Sequence, residues 1–467
     1  MTSKYKLFIE DLLKNYDFYL NNNDVYIKYD VEPTAIPLSS DKGLPLLKKE
    51  YYDYHGTMLS DAQLKHIVDI IKADLIQKGR EKPVFTRLGQ DSSNIYLDFC
   101  NQRAGIAKIS ESRLKKVRDS PILFHRPGTM LPLPAPKKPA NGGLDKLQRL
   151  LNMNNDDFKT VCLWLIGALS PTGPYPPLNI QGEQGTAKST TSKFLKMLLD
   201  PSKPNLRSLP ESERDLVIGA QRNWILAFDN ISNISPKMSD ALCRLSTGGG
   251  LATRKLYTDA EEVTLEVKRP IILNGIGEII HRPDLASRTL IVELPVINEK
   301  QRVTEDELNK KFQKYHPRIL RTLLEAASSS LKHFDNIELD RSPRMIDFAK
   351  WAVAGAKYFG WDKDETLSIL EENWRRSSSA CLQGDIVGTA IHEFIEEEGN
   401  WSGSVSELKD EIERTNPGVK HNSYWPQSPT SFSKRMRRMN PAFRDFGIQI
   451  ENLPRTKKEG RKIMIKK

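Results

Sequence analysis

The chain has 467 residues, 28% of them charged, and a formal net charge of +10. That length exceeds what one core can organise and predicts about two to four domains. Four widely spaced cysteines (Cys100, Cys162, Cys243, Cys381) form no CxxC pair, no apolar run reaches membrane-spanning length, and no signal-peptide core follows Met1. These features predict a cytoplasmic protein with reduced thiols, no metal cluster and no membrane partner.

Residues 1–140 mix helical and strand patterns, with short strands expected at 85–88, 95–99 and 122–126. They show no cluster of metal-binding acids of the kind a primase needs. Oligomerisation or DNA handling is the default role for this α+β region. A proline-rich connector at 131–140 then leads into a region, 141–375, whose front helices include 158–169.

The most informative stretch lies there. A short strand at 176–180 runs into Gly182-Glu183-Gln184-Gly185-Thr186-Ala187-Lys188-Ser189-Thr190, and an amphipathic helix follows. Strand, glycine loop and Lys-Ser at a helix start are the layout of a phosphate-binding loop. The glycines let backbone N–H groups turn inward, and the helix start adds its positive dipole end. Lys188 reaches the outer phosphates of ATP, and the Ser189 hydroxyl ligates Mg²⁺. The strict pattern has glycine directly before the lysine, where this chain has Ala187. The plain alternative is an ordinary glycine turn.

The apolar run 224–228 ends in Asp229, as required of a strand whose acid holds Mg²⁺ through water. Asn230 follows where a glutamate base is usual, and Asn cannot accept a proton. Asp240 is the nearest later carboxylate. Residues 246–268, which include Arg254 and Lys255, read as two β-like runs flanking a polar turn, and Asp259, Glu261 and Glu262 would repel DNA if they formed its tip. A third apolar strand, 269–274, ends in Asn274, which reads as a sensor of the attacking water or γ-phosphate, or as a turn cap. After it comes Asp284-Leu285-Ala286-Ser287-Arg288.

That order of loop, Asp strand, hairpin, Asn strand and Arg resembles the AAA+ replication proteins of phages and mobile genetic elements, close to superfamily-3 and MCM-type helicases. The likeness extends to the self-loading Rep initiator-helicases of staphylococcal pathogenicity islands and related prophages, over roughly 144–294. The resemblance implies a homo-hexameric ring that moves on DNA. Each site would combine Lys188, Ser189, Asp229 and Asn274 of one subunit with Arg288 of its neighbour as an arginine finger. Arg254 and Lys255 would face the pore and grip single-stranded DNA. Helical patterns after Thr304 read as a lid. Arg344 there is a second-sensor arginine or the ion-pair partner of Asp347.

Residues 380–467 read as three helices and two short strands. Between Ser431 and Lys467 there are twelve Lys or Arg and three Asp or Glu. A capped helix at 404–412, a basic helix at 431–439 bearing Lys434, Arg435, Arg437 and Arg438, and strands at 447–451 and 461–466 match a winged helix-turn-helix. Its expected partner is a duplex replication origin. The predicted fold class is therefore an α/β AAA+ core built on a parallel sheet with a phosphate loop, an α+β N-terminal domain and a C-terminal winged helix. Two other functions fit the same motifs: a remodelling or regulatory ATPase that never unwinds DNA, and a DNA-binding switch whose assembly ATP controls.

Overall fold

The computed structural model describes residues 3–28, 34–101, 105–138, 143–254, 262–265, 267–275, 277–340, 343–454 and 461–467. Its centre is a four-stranded parallel sheet. The acid strand Leu226–Ile231 pairs with the asparagine strand Ile271–Gly275, which pairs with the loop strand Leu178–Gln181, which pairs with Leu290–Glu293. These strands read as apolar runs because both faces are covered. Leu178, Ile180, Ile272, Leu290 and Val292 pack on one side with the helices Asn155–Gly167, Lys188–Leu199 and Glu305–His333. Leu226, Phe228, Ile271 and Leu273 pack on the other with the helix Pro236–Thr247 and with C-terminal residues such as Phe394, Phe432 and Ile465.

The first 140 residues contain two packing units. Strands Asp17–Asn21, Asp24–Lys28 and Ala35–Pro37 form one antiparallel sheet against the helices Ser3–Asn15 and Asp61–Gln77. Asn22 and Asn23, both at positive φ, make the two-residue turn that suits such a hairpin. The second sheet, Leu88–Gln90, Ile95–Asp98, Ile106–Ile109 and Leu114–Val117, shares its core with the central helices through Leu88, Leu97 and Ile109.

The strand expected at 85–88 is interrupted. Val84–Phe85 and Leu88–Gln90 are separate elements, and Arg87 between them has φ +66°. Its wholly buried guanidinium explains the break. It bonds to Asp200 at 3.1 Å and to the carbonyls of Asp98, Leu131 and Pro201. A buried charge needs such a complete set of partners. The connector at 131–138 has no regular structure but is strapped down. The N–H groups of Leu131, Leu133 and Lys137 donate to Pro201, Phe99 and Pro317, and Leu133 is buried.

The helices expected as a lid are integral to the core. Glu305–His333, capped by Thr304, packs along Ile346–Ala356 and buries Phe312, Leu320 and Leu324. The C-terminal region runs helix Ile386–Glu398, strand Trp401–Ser404, helices Val405–Thr415 and Pro429–Asp445, then strands Gln449–Asn452 and Lys462–Lys466. Its antiparallel sheet has Lys462–Lys466 in the middle. The Trp401–Ser404 strand was not legible in the sequence, because Trp-Ser-Gly-Ser is short and carries no alternation. Ser404 with Glu407 and Ser428 with Ser431 form the capping boxes that start the two helices.

Candidate functional site

The glycine loop leaves the end of the Leu178–Gln181 strand and enters the Lys188–Leu199 helix. Gly182 has φ +141°, and a Cβ there would lie 2.7 Å from the Leu294 carbonyl oxygen and 2.8 Å from Thr186 Oγ1. Gly185 has φ +83°. Ala187 also stands in the left-handed region, at φ +68° and ψ +30°. This is why glycine is the usual residue there. An L-residue in that region bears a strain of about 1–2 kcal/mol. Ala187→Gly removes the strain but loosens the unfolded chain by about 0.4–1 kcal/mol. The expected result is a gain of roughly 0.5–1 kcal/mol in a denaturant titration. A loss of stability would show that the Ala187 methyl group packs usefully.

Lys188 curls back over the loop, its Nζ donating to the carbonyls of Gly182 at 2.6 Å and Glu183 at 2.7 Å. The Ser189 hydroxyl donates to Asp229 Oδ1 at 2.9 Å, joining residues forty positions apart. Asn230 has φ +56°, and the strand register shifts between Phe228 and Ile231. This kink lets the Asn230 N–H reach Asp229 Oδ1 at 3.0 Å and Asn274 Oδ1 at 3.3 Å. Asn274 is 2% exposed and donates through Nδ2 to Ser192 Oγ at 2.6 Å. Ser192 in turn donates to the Lys188 carbonyl at 3.0 Å. Lys188, Ser189, Asp229 and Asn274 thus form one connected cluster at the strand ends. Ser192, which sequence reasoning missed, links its two halves. A serine inside a helix gives no signal until its partner is known.

Beside the loop opens a cleft of about 560 Å³, lined by Gly185, Ala187, Thr190 and Thr191 and by Leu150, Arg302, Val303 and Leu308. Glu183 and Gln184 are exposed at the loop's tip, whereas Thr186 is buried and donates to the Glu183 carbonyl at 2.9 Å. The geometry fits a nucleoside triphosphate. The cleft would have room for a base and sugar, and the Lys188 ammonium, now on two loop carbonyls, could turn with the loop amides to phosphate oxygens. Ser189 and Asp229, 2.9 Å apart, could supply the one or two protein oxygens that Mg²⁺ takes besides phosphate and water. Among the described residues no group of three or more His, Cys, Asp or Glu side chains could hold a metal by itself. Asp240 is engaged elsewhere, in an ion pair with Arg282 at 2.9 Å.

Arg288 does not join this cluster. Leu178 pairs with Leu290 and Gln181 with Glu293, so the parallel register puts Arg288 beyond the strand starts, at the sheet edge opposite the loop. Its Nη2 meets Asp284 Oδ1 at 2.8 Å, while its Nε is buried without a partner. Arg344 pairs with the same Asp284 oxygen, at 2.8 Å, and donates to Ser287. Asp284 rather than Asp347 is therefore its ion-pair partner, since the fold brings position 344 against the start of the Pro283–Ala286 helix. Burial would raise the Asp284 carboxyl, but the two guanidinium groups outweigh it and hold the pKa below the ordinary carboxylate value.

The hairpin expected at 246–268 has strands Leu251–Arg254 and Glu262–Leu265, with Arg254 opposite Glu262. Lys255 lies outside the described residues. On the Pro429–Asp445 helix, Lys434, Arg437 and Arg438 are exposed. Lys434 and Arg438 line a cleft shared with His281 and Arg282. Arg437 lines another, with Ser433, Asn440 and Arg461. Arg435 differs from its neighbours. It turns inward to Asp385 at 2.7 Å and to the Tyr424 carbonyl at 2.8 Å. Sequence alone gives all four residues the same charge and cannot show which one holds the helix in place.

Comparison with known families bears on this arrangement. Residues 144–359 match the family described as actinomycete integrative conjugative element replication protein, and residues 387–467 match the RepA C-terminal domain of the same elements. The chain is a replication protein. The matched segments contain the glycine-loop cluster and the basic helix. The described hosts are conjugative elements rather than the phages and staphylococcal islands that the motifs suggested, but replication of a mobile element is common to both. The chain is also similar to the A-form apo structure of the NrS-1 C-terminal region, with 12% identity over 99% of this chain and 98% of that one and a TM-score of 0.41. A second apo structure, of residues 305–718 of NrS-1, gives 12% identity, 99% coverage of both chains and a TM-score of 0.40. Comparison with curated proteins gives no match. No helix among the described residues is long and apolar enough to cross a membrane.

Proposed function

We propose that this replication protein is an ATP-driven DNA helicase of the AAA+ kind that also recognises the replication origin of its element. The observation that carries the reading is the Lys188, Ser189, Asp229 and Asn274 cluster. Three adjacent parallel strands deliver one polar group each to the same edge, next to a loop with inward-turning backbone. Bound ATP with Mg²⁺ would supply the phosphoanhydride whose hydrolysis drives movement. Lys188 would exchange its two loop carbonyls for phosphate oxygens. Asp229 and Ser189 would hold the ion, and Asn274, fixed by Ser192, would orient the attacking water. Asn230 points no carboxylate at that water, so proton acceptance falls to the phosphate or to solvent.

Arg288 would complete the site of a neighbouring subunit in a homo-hexameric ring. Its position at the far sheet edge and its unsatisfied Nε support action across a boundary. The Arg254 hairpin would track single-stranded DNA in the pore. The C-terminal region has the helix, strand, helix, helix, strand, strand order of a winged helix, with Pro429–Asp445 as its reading helix. ATP hydrolysis measured with and without single-stranded DNA tests the reading. Stimulation supports it, whereas turnover indifferent to DNA favours a remodelling ATPase, and binding without turnover favours a switch.

The exposed arginines give a second expectation. A base-reading arginine contributes about 1–3 kcal/mol, and a phosphate contact contributes about 0.9 to the log–log salt slope on duplex DNA. Arg437→Ala and Arg438→Ala should each weaken origin binding within that range and leave basal hydrolysis unchanged. Titration of origin and scrambled duplex at several salt concentrations separates the two contributions. Wild-type binding by both variants would move recognition off this helix.

A further inference from the structure

A cleft of about 630 Å³ lies far along the chain from these residues. The Ala35–Pro37 strand, the start of the Gly43–His55 helix, residues 125–129 and the end of the Glu213–Arg222 helix surround it. It therefore joins the front region to the central core. Lys42 and Arg222 stand at its rim, both exposed, and neither side chain forms an ion pair with another described residue. Arg126 also lines it but is neutralised by Asp98, at 2.7 and 2.8 Å. Asp41, exposed beside Lys42, offsets part of the remaining charge.

Thr34 Oγ1 and Thr129 Oγ1, on residues that line the cleft, are buried without hydrogen-bond partners among the described residues. Buried hydroxyls without partners are uncommon and call for an explanation. The His125 ring nitrogen lies 3.4 Å from the Ala35 carbonyl. Burial, aided by Lys42 and Arg222, pulls its pKa below the ordinary value. Among the described residues no aromatic ring other than the His125 imidazole lines the cleft, so they offer no platform for stacking bases. Its two unpaired cations are exposed to solvent.

We propose that this cleft binds the phosphate backbone of single-stranded DNA, without sequence preference, through Lys42, Arg222 and the Thr34 and Thr129 hydroxyls. The choice of DNA as the polyanion rests on the protein's role in replication, but not on ATP hydrolysis. The test uses the full chain and a mixed-sequence single-stranded oligonucleotide, titrated by fluorescence anisotropy at several salt concentrations. Lys42→Glu with Arg222→Glu should weaken binding by roughly tenfold, and the salt slope should become shallower by about 0.7 for each phosphate no longer held. Thr34→Val with Thr129→Val should weaken binding without changing the slope.

Origin preference on duplex DNA should survive in both variants, so a failure of the C-terminal assignment stays distinguishable, and loss of helicase function would leave these titrations unaffected. If the charge reversal lowers the melting temperature, Lys42→Gln with Arg222→Gln carries the same expectation. Inorganic phosphate should compete no better than chloride at equal ionic strength. Stronger competition, in wild type only, would assign the cleft to a free phosphate and overturn the DNA proposal. Unchanged affinity and slope in folded charge variants would overturn it as well.

Discussion

Lys188→Ala should reduce ATP turnover by on the order of 10³-fold or more, to the limit of detection. The ammonium is the positive group within the loop itself, held at its mouth by the Gly182 and Glu183 carbonyls. Neither of those two hydrogen bonds reaches the core. Their loss should therefore change stability by only about 1–2 kcal/mol. The helix that starts at this residue is anchored further along by Phe194, Leu195 and Leu198, all fully buried. Turnover is to be measured by phosphate release, beside a thermal melt of the same preparation. A folded variant that hydrolyses ATP at the wild-type rate would remove the loop from the mechanism.

Arg288→Ala should lower turnover by a comparable factor, since an arginine acting in trans contributes ~10³ or more in related phosphoryl transfer. The fold should tolerate the change, because Arg344 still neutralises Asp284. The decisive form of the experiment is mixing. Lys188→Ala and Arg288→Ala proteins, each inactive, should regain part of the activity together, because some interfaces then hold one intact lysine site and one intact arginine. Arg344→Ala separates the two guanidinium groups. If it abolishes turnover and Arg288→Ala does not, the finger is Arg344. Wild-type activity of Arg288→Ala at a dilution that gives monomers would exclude action across a subunit boundary.

The parts of the site that were legible in the sequence are those written in local chemistry. A glycine loop between a strand and a helix, an apolar run ending in Asp229 and another ending in Asn274 each need only a few neighbouring residues to be recognised. The structure adds what depends on tertiary contact. Ser192 became visible as the link to Asn274, and Asp284 as the acid shared by Arg288 and Arg344, only once distant segments met. Arg87 broke an expected strand because its charge had to reach Asp200, a partner 113 positions away. The C-terminal helices were marked by capping boxes and amphipathic spacing, and the Trp401–Ser404 strand by neither. Ala187 shows the reverse case. The sequence departs there from the usual glycine, yet the backbone keeps the left-handed turn that glycine would adopt.

Hydrolysis at the Lys188 site is expected to drive DNA unwinding. Strand displacement of a forked duplex, followed with a fluorescent label on the displaced strand, tests it most directly. The wild-type protein should displace the strand with ATP and Mg²⁺ and not without ATP, and Lys188→Ala should displace it under neither condition. A wild-type protein that hydrolyses ATP in the presence of the fork and leaves the duplex intact, or a Lys188→Ala protein that displaces the strand, would contradict it.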